Sequence, residues 1–169
     1  MRVALDRLYM TAAWLAAAMM VGTLLMVLLG IATRLFSWFV PGTDAYAGYC
    51  MAAAGFLALA HTLKRGEHIR VSLILEHLGP RSRHRMELFA LAAASALAAA
   101  FAYFSVRLAY QSWVFHDIST GNDATPLWIP QLAMAAGTVV LLIAFVDELA
   151  LEWRGAREWK MPEEALHHE

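Results

Sequence analysis

Seven histidines and fourteen carboxylates are the groups in this chain with the chemistry to carry protons or bind metal. A proton or ion path through a membrane needs ionisable side chains at mid-depth, and a bis-histidine haem needs two imidazoles facing each other there. Residues 8–33, 45–63, 88–106 and 127–146 form four apolar runs without a single Asp, Glu, Lys or Arg. Among the histidines, His61 stands near the end of the second run and His116 beyond the third. His68, His77 and His84 fall between those two runs, and His167-His168 near the C-terminus. No obvious pairing puts two imidazoles at one depth. A haem on His61 would make the chain a membrane-anchor subunit of a redox complex, the alternative to the function argued below. A hydrogen-bonded or interfacial role suits His61 better. The adjacent pair at 167–168 lacks the spacing of a metal motif. There is also no nucleophile–base pattern and no glycine-rich phosphate loop, so no enzyme is expected. The single cysteine, Cys50, excludes an internal disulfide and reads as a small buried residue.

The elements that carry these residues follow from the apolar runs. At about 1.5 Å per residue, each is near the ~20 residues needed to cross the hydrocarbon of a bilayer, and the first, of 26, must tilt or protrude. A soluble bundle would show one polar face at period 3.6, whereas these runs are apolar all round. The composition, 60% hydrophobic and 16% charged, agrees. The expected fold is all-α, an integral membrane protein with four transmembrane helices in a domain over residues 1–153, followed by a charged tail over 154–169. The first run exceeds a signal-peptide core and lacks a small-residue cleavage site at its end, so it is expected to stay in the mature protein.

Eleven of the thirteen Lys and Arg residues flank the runs on one side: two before the first, six between the second and third, three after the fourth. Only Arg34 and Arg107 are on the other side. Basic loops stay in the cytoplasm during insertion, which predicts cytoplasmic termini and outward-facing loops over 34–44 and 107–126. The basic residues flank spans without stacking aromatics beside them, so the partners are membrane lipids and not nucleic acid. Asp147 and Glu148 are expected where water reaches them.

Between runs, Leu35–Val40 is aromatic and apolar, as at a membrane interface, and Pro41-Gly42 is a turn signal. Thr43 or Asp44 can cap the second helix, and Gly66 can end it. Residues 67–79 place Val71, Ile74, Leu75 and Leu78 on one stripe, which predicts a short amphipathic helix in the cytoplasmic interface, ended by Gly79-Pro80. The basic run 81–85 would meet anionic headgroups. The third run is alanine-rich and suits close helix packing. Residues 119–123 read as a polar turn. Pro126 and Pro130 suit a helix start, and Trp128 is an interfacial anchor.

At Lys64-Arg65-Gly66-Glu67-His68-Ile69-Arg70-Val71 the chain resembles the small permease subunit, DctQ type, of tripartite ATP-independent periplasmic (TRAP) transporters. Arg34 closing the first helix, Asp44 opening the second, and Pro126-Leu-Trp-Ile-Pro130 before a helix containing Gly137 are similar to that family over roughly residues 7–150. Ala136 departs from the family's proline at that place, which bears on the local bend of the fourth helix.

The resemblance implies a scaffold subunit in a bacterial inner membrane, partnered by a large permease subunit and a periplasmic solute-binding protein that delivers an organic acid. Sodium is expected in the large subunit and no cofactor in this one; a chain ending at Glu169 leads to the expectation of a separate large permease. Arg34 and Asp44 are then candidate outer-edge docking groups. Lys64, Arg65, Gly66, His68 and Arg70 are candidates for positioning the inner interface, with Trp128 and Gly137 as structural positions. Trp113, His116, Asp117 and Asp123 are candidates for contact with the binding protein.

Overall fold

The structure is a computed structural model and describes residues 2–65 and 80–154. The interfacial helix expected over 67–79, with Gly66, His68 and Arg70, and the tail beyond 154 lie outside the described residues. Four helices make up nearly all of the rest: α1 (Arg2–Leu35), α2 (Thr43–Arg65), α3 (Pro80–Val114) and α4 (Trp128–Trp153). All four are long and apolar enough to cross a membrane. At 34 and 35 residues, α1 and α3 would each extend roughly 50 Å, more than the ~30 Å hydrocarbon thickness. They must tilt or project beyond it.

Helices outrun the apolar stretches in two places where loops were expected. α3 continues past Arg107 to Val114, so the third connection begins at Phe115. Residues 108–114 hold no helix breaker, and with Ala109 and Ser112 buried the helix keeps a packed face there. At the other end, α3 starts at Pro80, which suits a first helical position because proline has no N–H to satisfy. The basic run 81–85 therefore forms the opening turns of α3.

The helices lie side by side as a row in the order α1, α2, α4, α3, with α1 touching α4 only lightly and α3 leaning on α4. Ties at both ends show that all four run alongside one another over their length. Lys64 of α2 reaches Asp147 and Glu148 of α4, and His84 of α3 reaches Glu152 of α4. The described chain ends share that end, here called the terminal end. At the opposite, distal end, Arg34 pairs with Asp44, and Tyr49 bonds Asp123 of the α3–α4 loop.

The row leaves wide apolar faces uncovered, among them Trp14, Leu24, Leu25 and Leu28 on α1 and Phe89, Leu97 and Phe104 on α3. The small core gathers at the terminal end, where Tyr9, Ala60, Leu63, Leu141 and Ala144 are buried together. Elsewhere the interior consists largely of alanine, which lets helix backbones approach where apolar transfer supplies little drive.

Candidate functional site

Candidate residues fall into three layers. At the distal end, the turn between α1 and α2 is set by Gly42, whose φ of 81° is open to glycine without strain. A Cβ there would stand 2.7 Å from the Cβ of Asp123, so the two distal loops touch. Thr43 and Asp44 are the first residues of α2 and not its cap, and the Asp44 carboxylate sits in the first turn, where the helix dipole favours it. It accepts a hydrogen bond from Arg34 at 3.3 Å. Both side chains are more than three-quarters exposed, so the pair adds little stability and stays open to a partner.

Asp123 has a different environment. Its carboxylate accepts hydrogen bonds from Tyr49 Oη at 3.0 Å and Ser119 Oγ at 2.8 Å, while Thr125 Oγ1 and Tyr46 Oη lie within hydrogen-bond distance of each other at 3.2 Å. Hydrogen bonding from Thr125, then from Ser119 and Tyr49, outweighs desolvation and lowers the Asp123 carboxyl from 3.8 to about 2. The Ser119–Asp123 turn closes with a bond from the Gly121 N–H to Ser119 Oγ, and Ile118 bridges Pro126 across the loop. Asp123 is thus a tie between α2 and the loop. Trp113, His116 and Asp117 stand apart from it, exposed. His116 and Ser37 both adopt left-handed φ of 55° just past a helix, where N–H groups of Asp117 and Trp38 return to Ser112 and Thr33 carbonyls. These are Schellman-type ends made without glycine. Trp128, half-buried, begins α4.

In the middle layer, Gly137 marks the crossing of α2 and α4. A Cβ on it would lie 2.5 Å from the Phe56 carbonyl oxygen. α4 is one continuous helix through Ala136 and Gly137. On the α1–α2 side, Gly22 faces Cys50 and Gly30 faces Thr43, each leaving room for only a small neighbour. His61 lines an apolar groove between α1 and α2 with Ala13, Ala17 and Ala58.

The terminal end carries the densest charge. The Lys64 ammonium donates to Asp147 and, at 3.1 Å, to Glu148, and lies 5.3 Å from the centroid of the Tyr9 ring. Asp147 and Glu148 are only 23% and 13% exposed, so water reaches them in part, beside the Lys64 ammonium. Glu87 and Glu152, both buried, are engaged by Arg83 at 3.1 Å and His84 at 2.8 Å. Arg65 is exposed at the end of α2.

Sequence reasoning missed Tyr9, Glu87, Asp147, Glu148 and Glu152 as partners. Only Arg83–Glu87 had a readable signal, the i, i+4 spacing; the other pairs join distant parts of the chain. Among the described residues, no group of three or more His, Cys, Asp or Glu side chains could hold a metal ion.

This geometry is a row of four apolar helices tied by side-chain pairs at both ends. No curated protein matches the chain. A family model described as tripartite ATP-independent periplasmic transporters, DctQ component, matches residues 23–155, which take in the last part of α1 and all of α2, α3 and α4. That family is a transporter component rather than an enzyme family, and the chain belongs to it: this is a multi-pass membrane protein of the DctQ component family of TRAP transporters.

Proposed function

We propose that the chain is the static scaffold of a TRAP-type secondary transporter in a bacterial inner membrane, with both termini cytoplasmic. It holds a large permease subunit while that subunit moves an organic acid, delivered by a periplasmic binding protein, together with sodium. The observation that carries this reading is the row of helices itself. Four spans are joined edge to edge and tied by side-chain pairs at both ends, with no carboxylate at mid-depth to handle an ion. Their uncovered apolar faces suit a protein partner as well as lipid. A carrier that shuttles substrate by moving one body against another needs such a fixed counterpart. The excess of basic residues at the terminal end supports the orientation.

The experiment is reconstitution into vesicles with the large permease and binding protein, singly and together. Sodium-driven uptake is expected only for the complete set, with this chain co-purifying with the large subunit. Solute movement by this chain alone, or full uptake without it, would overturn the proposal.

A further inference from the structure

One cation in the distal part of the membrane-spanning body, Arg107, has no acceptor among the described residues. Arg107 is exposed on α3, seven residues before its last residue, which places it roughly 10 Å along the axis from that end. Among the described residues it makes no hydrogen bond or ion pair. At the same end, Asp44 is taken by Arg34 and Asp123 by Tyr49 and Ser119. An arginine at such depth is costly unless it snorkels or meets an anion.

The same residue stands at the rim of an apolar groove of about 560 Å³ between α3 and α4. Ala102, Tyr103, Val139 and Leu142 line it, and Tyr110 flanks Arg107 one turn further out. Tyr110 and Trp113 lie side by side with their rings tilted and centroids 6.2 Å apart, and such aromatics settle at headgroup level. A trough of hydrocarbon walls beginning beneath a lone cation fits a molecule with one anionic head and an apolar chain.

We propose that this groove is a phospholipid site. One acyl chain lies along the alanine face of α3 against Val139 and Leu142, and the phosphate accepts hydrogen bonds from the Arg107 guanidinium. The planar guanidinium can donate two parallel hydrogen bonds to phosphate, a geometry that an ammonium lacks. The site does not depend on the transporter assignment, because it uses only α3, α4 and the bilayer.

Native mass spectrometry of the full-length chain in a neutral detergent, titrated with phosphatidylglycerol, tests it. One tightly held lipid is expected per chain. Arg107→Ala should weaken that binding by about tenfold or more, the scale of a hydrogen bond to a charged group. Val139→Trp, which fills the groove from a partly exposed position, should do the same, while Arg34→Ala should leave binding unchanged. Diacylglycerol, which has no phosphate, should bind about tenfold more weakly, and inorganic phosphate should not displace the lipid. Circular dichroism confirms that each variant is folded, and Arg107→Gln replaces the alanine variant if that one is not. Equal lipid binding by wild type and the folded Arg107 variant, or equal binding of diacylglycerol, overturns the proposal. So does efficient cross-linking of the Tyr103→Cys variant to a co-expressed permease subunit, which would make the occupant a protein helix.

Discussion

Lys64 is the single side chain on which most of the terminal end converges. It has two carboxylates and an aromatic face around it, and all of them come from α1 and α4. Removing it would take away the ammonium that Asp147 and Glu148 share, with both carboxylates largely shielded from water. Lys64→Ala is expected to destabilise the protein by about 2–3 kcal/mol, somewhat below the 3–5 kcal/mol of a fully buried broken pair, because the site retains some water contact. A thermal unfolding series in detergent measures it, and Asp147→Asn in the same background should recover part of the loss. Asp123 makes a pH prediction. Its folded pKa of about 2 lies below the unfolded 3.8, so the ionised form stabilises the distal loops above about pH 4. That contribution fades as the pH falls from 4 toward 2. Hydrogen-exchange protection of the 117–127 backbone, corrected for the intrinsic amide rate at each pH, should therefore fall in that window in the wild type and stay constant there in Asp123→Asn.

At the scale of elements, the α2–α4 crossing is a close backbone approach at Gly137. The Phe56 backbone occupies the space where any side chain at position 137 would begin. Gly137→Ala must push the two helices apart, an overpacking cost of about 1–3 kcal/mol, and Gly137→Leu a larger one. Both variants should lower the melting temperature, and the Leu variant should also weaken the Lys64 contact to α4. The four spans were legible because a bilayer demands lengths and polarity that the runs at 8–33, 45–63, 88–106 and 127–146 display directly. The ends of α3 were not legible. Charges at Arg83, Arg85 and Arg107 read as loop, yet backbone hydrogen bonding continues through them because each can snorkel to water or headgroups while the helix stays intact.

For the whole molecule, the row α1–α2–α4–α3 gives a broad, thin body instead of a closed bundle. Such a body widens whatever it attaches to, in line with the scaffold role. Arg65 is exposed at the terminal end, where Lys64 also stands near the close of α2 and Arg83 and Arg85 lie in the opening turns of α3. Charge reversal at Arg65 and Arg70 together is expected to lower uptake and co-purification with the large permease several-fold while leaving substrate preference unchanged. Parallel uptake and pull-down assays decide it, and normal values for both would remove these residues from the interface.

Apolar length and the lack of charge within each run were sufficient to read a four-span protein. These are properties that lipid imposes locally on each segment, so they can be read one segment at a time. The string around Lys64 to Val71, with Arg34, Asp44 and Gly137, was sufficient to point to the family. Tertiary structure alone decided which helix lies beside which, and hence that Lys64 meets Asp147, that His84 meets Glu152, and that Asp123 ties a loop to Tyr49. Those partners are 83, 68 and 74 residues apart. No periodicity along the chain records such pairings, because they depend on how apolar helices pack, and alanine-rich faces allow several orders of packing until small residues such as Gly137 select one.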